Sequence, residues 1–128
     1  MNYKKLVFLL LLAVFALSAC AKNPVSKKDE FVLMSEKDEI ALGKQYAPAF
    51  TKQFGGKFQD DEIQEYVNKI GQSLAENSDR PELFYYFTVL DSPIVNAFAL
   101  PGGYIFVTRG LLAAVNSETE LAAVLGHE

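Results

Sequence analysis

The chain contains one histidine, His127, and a glutamate follows it directly as Glu128, so the two side chains best suited to chemistry stand next to each other. An imidazole ligates metals and moves protons near neutral pH, and a carboxylate serves as a general base. Taken alone, the pair also reads as a histidine favourably placed near a helix C-terminus. Cys20 is the single cysteine. Nothing basic or catalytic is patterned around it, which argues against an activated thiol. Asp60-Asp61-Glu62 offers three carboxylates in a row, but these open an apolar-periodic segment, so they read as a helix start matched to the macrodipole rather than a cation site.

Composition limits what these residues can belong to. With 50% hydrophobic and 22% charged side chains the chain is neither disordered nor collagen-like. One cysteine excludes an internal disulfide framework. Twelve basic against 16 acidic side chains, a formal charge of -4, argue against a nucleic-acid partner. A length of 128 residues suits one small domain with one core.

The charge is unevenly spread. Lys4 and Lys5 precede 12 unbroken apolar residues at 6–17. That run is shorter than the ~18 to 20 residues of a spanning helix and fits the apolar core of a secretory signal. Leu17-Ser18-Ala19-Cys20 resembles a bacterial lipobox. The resemblance implies cleavage after Ala19 and acylation of Cys20, which would anchor the protein in a membrane by its lipid chains. Ala21 follows where lipoproteins of this kind retained in the inner membrane carry Asp, which points to the periplasmic face of the outer membrane. The remaining 10 basic and 16 acidic residues give -6. The expected organisation is a lipoprotein signal peptide at 1–19, a lipidated N-terminus and polar tether at 20–34, and the folded part at 35–128.

Several elements must position the His-Glu pair. Ser35-Glu36-Lys37-Asp38 has capping-box form and predicts a helix start. Ile40, Leu42 and Tyr46 give this helix a partial apolar face before Pro48, and Phe54-Gly55-Gly56 breaks the pattern. Ile63, Val67, Ile70 and Leu74 recur at helical steps over 60–76 and predict a second helix. The aromatic and branched run 84–90 predicts a buried strand. Residues 95–100 and 104–108 form a hairpin around Pro101-Gly102-Gly103. A short helical stretch at 111–115 precedes a second capping box, Ser117 to Glu120, and an apolar helix that ends at the His-Glu pair.

The stretch NAFALPGGYIFVTRG followed by LLAAVNSETELAAVLGHE resembles zinc metallopeptidase family forty-eight, the group of HtpX, the CAAX prenyl proteases and the periplasmic proteases of the BepA and LoiP kind. The upstream segments NPV, FVLMSEKDEIALGKQ and YFTVLDSPIVNAFALPGG are similar to its bacterial lipoprotein or periplasmic members. The family's H-E-x-x-H motif puts two histidines on one helix face, where both reach one zinc. The resemblance implies that His127 is the first zinc ligand and Glu128 the general base, with one Zn2+ per full-length protein. Zinc would acidify its water and polarise the scissile carbonyl, and Glu128 would carry the proton to the leaving amine. The resemblance also implies a docking strand for an extended substrate, supplied by 96–100 or 104–108, with Asn96, Ala97, Phe98, Tyr104 and Ile105 as the candidate contacts.

The second histidine and the downstream glutamate of the family fall beyond Glu128. One imidazole does not hold a catalytic zinc against water, so residues 1–128 alone are expected to bind zinc poorly and cleave nothing, as the front part of a longer protein. The expected fold is α+β, a zincin-like domain with two N-terminal helices, a small antiparallel sheet including the hairpin, and the start of the active-site helix. The expected function is zinc-dependent endoproteolysis of misfolded or stalled envelope proteins, with envelope assembly machinery as a further partner. The alternative is a lipid-anchored chaperone or assembly factor that binds client strands without hydrolysis.

Overall fold

A computed structural model of the protein describes residues 20–22, 29–31 and 34–128. The chain divides into two units, Met1–Ser35 and Glu36–Glu128. In the first, strand β1 (Cys20–Lys22) pairs antiparallel with β2 (Asp29–Phe31), Cys20 opposite Phe31. The segment read as an irregular tether thus contains a short ladder, which its polar sequence does not announce. The segment 1–19, expected to be a signal peptide, lies outside the described residues.

The second unit opens with α1 (Glu36–Gln53), directly after Ser35. Its first turn carries Glu36, Asp38 and Glu39, which suit the positive end of the dipole. The helix runs through Pro48, although a proline nitrogen has no hydrogen for the carbonyl one turn back. Packing explains the continuation. Phe50 and Phe54, both beyond Pro48, lie with ring centroids 5.7 and 4.9 Å from Phe98 of the sheet. Helix α2 (Asp61–Ala75) starts where the Asp60 carboxylate accepts from the Ile63 N–H at 3.0 Å. Its Val67 is fully buried, and Ile63, Ile70 and Leu74 pack against the same core, as their spacing predicts.

Strands β3 (Tyr86–Leu90), β4 (Ala97–Leu100) and β5 (Tyr104–Thr108) form one sheet in the order β3-β5-β4. The β4–β5 hairpin is antiparallel, and Gly102 and Gly103 turn it at φ 77° and 86°, where a side chain would be strained. The sheet is mixed rather than antiparallel throughout, because β3 pairs parallel with β5, Tyr86 opposite Tyr104. The six residues between β3 and β4 look like a meander loop. They instead carry the chain past the end of β5, and β4 returns on its far side. Strand β3 is also shorter than the aromatic run, and Phe84 is 80% exposed.

Three layers result. Phe98 and Phe106 stack at 5.0 Å on the face covered by α1. Val89, Ile105 and Val107 form the opposite face and pack with Val67 of α2 and with Leu121 and Leu125 of the last helix. This is an α+β architecture. Among the described residues no helix is long and apolar enough to cross a membrane.

Gln64 joins α2 to the sheet. Buried beside β3, it donates from Nε2 to the carbonyls of Phe58 (2.8 Å) and Val89 (2.9 Å), and its Oε1 accepts from the Val89 N–H (3.1 Å). Gln64→Leu keeps the volume but leaves that N–H unpaired. A loss of about 2 kcal/mol in denaturant unfolding is expected. An unchanged midpoint would show that the amide contributes nothing.

Candidate active site

The His-Glu pair sits at the end of α4 (Glu118–His127), which follows the short α3 (Arg109–Ala114). Ser117 caps α4 by accepting from the Glu120 N–H at 3.2 Å. The reciprocal half of the expected box is displaced by one residue, since the Glu120 carboxylate accepts from the Asn116 N–H at 2.7 Å. Leu121 and Leu125 are buried against the sheet and fix the rotation of the helix. His127 and Glu128 are exposed beyond them. Tyr66 of α2 donates to the Glu118 carboxylate at 3.1 Å and ties the two helices together. Desolvation, and after it the bonded carboxylate, raises the pKa of this phenol above its ordinary value.

Glu128, Gly126 and Leu125 border a cleft of about 720 Å³ whose other wall includes Ala99 and Leu100 of β4. Arg80 also lines it. The guanidinium donates to Glu39 at 3.0 and 3.2 Å and to Glu36 at 3.0 Å. Burial disfavours its charge, but the two carboxylates outweigh that and hold its pKa above the usual value. This ion-pair group fastens the first turn of α1 to the segment after α2.

The sheet has two edges, and they differ. On β3 the outward groups of Val89 are occupied, as are the Tyr85 carbonyl and the Asp91 N–H at its two ends. The Tyr85 carbonyl accepts from Gln72 Nε2 (2.9 Å), Val89 is held by Gln64 and by the Phe58 N–H (2.9 Å), and the Asp91 N–H donates to the Gly56 carbonyl (2.9 Å). On β4 the Thr108 N–H donates to the Asn96 carbonyl at 3.0 Å. In an antiparallel ladder bonded positions alternate, so Phe98 and Leu100 bond inward to β5, and Ala97 and Ala99 turn their N–H and C=O groups outward. The side chains of Ala97 and Ala99 share the face of Val107 and Ile105, the α4 side, and their small size leaves room above that helix.

This geometry sorts the five docking candidates. Tyr104 and Ile105 lie on the central strand, whose main chain is paired on both sides, so neither can offer an edge. Phe98 points to α1, away from Glu128. Asn96 is engaged with Thr108 through both its N–H and its carbonyl. Among the described residues nothing pairs with the outward main chain of Ala97. Ala99 shares this edge; it lies inside the expected docking strand 96–100 but not among the named contacts, and the signal was the pairing register, since Leu100 and Tyr104 flank a three-residue turn as a bonded pair and the alternate positions Ala99 and Ala97 face away.

Comparison with known proteins adds the decisive observation: a family model described as Peptidase family M48 matches residues 61–128, which take in α2, the whole sheet and the His-Glu pair. The chain belongs to peptidase family M48. Among relatives of this M48 chain, the mitochondrial metalloendopeptidase OMA1 of Danio rerio is 32% identical over 126 residues, 94% of this chain and 26% of that protein. The mitochondrial metalloendopeptidase OMA1 of Arabidopsis thaliana is 41% identical over 69 residues, 54% of this chain and 14% of its own. The beta-barrel assembly-enhancing protease of Escherichia coli K12 is 28% identical over 69 residues, again 54% and 14%. The chain thus spans about a quarter of the length of the first of these curated relatives.

A metallopeptidase family implies a metal, and the M48 chain offers it little on its own. Among the described residues no group of three His, Cys, Asp or Glu side chains converges. His127 supplies one imidazole, which is one ligand and not a set, so the described residues do not by themselves make a metal site.

Proposed function

We propose that the full-length protein is a zinc-dependent metalloendopeptidase of the bacterial cell envelope, acting on misfolded or stalled envelope proteins. In this reading His127 is one zinc ligand and Glu128 is the general base, which takes a proton from the attacking water and delivers it to the leaving amine. An extended substrate adds as a strand to β4, pairing with the outward main-chain groups of Ala97 and Ala99, and so lies across the cleft that Glu128 borders. The acylated Cys20 holds the enzyme at the periplasmic face of the outer membrane, near envelope assembly machinery. The observation that carries the reading is that, within the M48 match, Glu128 and Ala99 of the β4 edge line one cleft, an edge with which nothing among the described residues pairs.

The test uses membranes from cells producing the full-length protein. Detergent extracts are expected to degrade casein, to lose that activity to a chelator, and to recover it with zinc. Cleavage indifferent to the chelator would overturn the metallopeptidase reading. With Cys20→Ala the activity is expected in the soluble fraction; if it stays in the membrane pellet, the lipid anchor is wrong.

A further inference from the structure

The six residues between β3 and β4 have no regular structure, yet every second carbonyl is held. The Gly110 N–H donates to the Ser92 carbonyl at 3.0 Å, the Thr108 hydroxyl to the Ile94 carbonyl at 2.5 Å, and the Thr108 N–H to the Asn96 carbonyl at 3.0 Å. The same hydroxyl accepts from the Asn96 N–H at 3.1 Å and from the Leu111 N–H at 3.2 Å, where it caps α3. A hydroxyl has one hydrogen and two lone pairs, so these three bonds use its whole capacity. The Asn96 carbonyl, 2.9 Å away, is its alternative acceptor. Thr108 is fully buried, 0% exposed. Gly110 completes the clasp because nothing larger fits: a Cβ there would stand 2.2 Å from the Pro93 carbonyl oxygen.

The clasp centres on Thr108, and two of its bonds hold Asn96, the residue immediately before β4, by its N–H and its carbonyl. Beyond it, one side of β4 is bonded to β5 and the other is the outward edge of Ala97 and Ala99. How far that edge projects, and at what angle it meets an added strand, depends on where the chain enters it. The entry point is set by Thr108.

We propose that Thr108 is a positioning residue for peptide docking, its hydroxyl fixing the start of β4 and so the reach of the Ala97 and Ala99 main chain. This rests on the metalloendopeptidase reading above. Thr108 touches neither substrate nor metal and acts through Asn96. An edge set loosely pairs with substrate less well in the ground state and in the transition state alike, so the effect falls on KM and leaves kcat nearly alone.

The test measures hydrolysis of an extended fluorogenic peptide by the full-length, zinc-loaded protein, and in parallel hydrogen exchange of the amides in β4 and α4. Thr108→Val, which keeps the shape and removes the hydroxyl, is expected to raise KM about tenfold while kcat changes less than about twofold. Exchange should quicken in β4 and stay unchanged at Leu121 and Leu125. Thr108→Ser restores both. Gly110→Ala, which keeps the hydroxyl but displaces the Pro93 carbonyl and the Ile94 carbonyl that accepts from it, should raise KM in the same way, so the result does not depend on one variant folding. KM within about twofold of wild type in both Thr108→Val and Gly110→Ala overturns the proposal. So does a fall in kcat with KM unchanged. If the wild-type protein does not cleave, the metallopeptidase reading fails, and the exchange rates still decide whether the clasp sets β4.

Discussion

Replacing Glu128 by glutamine in the full-length protein is expected to lower kcat by about two to four orders of magnitude, with KM and zinc content close to wild type. Glutamine keeps the size and hydrogen-bonding reach of the side chain but cannot take a proton. Glu128 is exposed at the end of α4, so its loss leaves the core intact and the melting temperature should not move. A structural role predicts the reverse, a destabilised protein with normal turnover per folded molecule. Steady-state kinetics beside a thermal melt separates the two, and activity above about a tenth of wild type would remove Glu128 from the chemistry.

Phe106→Ala is expected to be the most damaging single change to stability, at about 3–5 kcal/mol. Phe106 is 2% exposed in the middle of the central strand and stacks on Phe98 at 5.0 Å. Phe98 in turn meets Phe50 and Phe54 of α1. Truncation leaves a cavity under α1 and removes the surface on which the helix rests beyond Pro48. Small domains are stable by only about 5–15 kcal/mol, so a loss of this size removes a large share of the total. Denaturant unfolding measures it, and a loss below about 1 kcal/mol would mean that α1 collapses into the space and that the aromatic stack adds little.

The parts of the fold legible in the sequence are those set by local chemistry. The spacing of Ile63, Val67, Ile70 and Leu74 defines α2 because one face of one helix must be apolar. Pro101-Gly102-Gly103 defines the hairpin because only glycine takes those positive φ values without strain. Ser117 defines the start of α4 by capping it. The parts that were not legible depend on tertiary neighbours. Pro48 argues locally against a helix, and aromatic packing beyond it prevails. The parallel pairing of β3 with β5 is decided by where a six-residue loop runs, and no periodicity encodes that.

The same division holds for the site. His127 and Glu128 stand out by residue type and by their company. The docking edge does not, because Ala97 and Ile105 look alike as strand residues and differ only in whether a neighbouring strand has already used their main chain. Thr108 reads as the last residue of a strand. Two of its three hydroxyl bonds reach back to Ile94 and Asn96, which no local pattern connects with it.

The most direct test of the central claim is anomalous diffraction at the zinc edge from crystals of the full-length protein bound to an uncleavable extended peptide. The expected result is one zinc bonded to the imidazole of His127, with the Glu128 carboxylate beside it and the peptide main chain paired to Ala97 and Ala99 along β4. Zinc bound away from His127, or a peptide lying along β3, would contradict it.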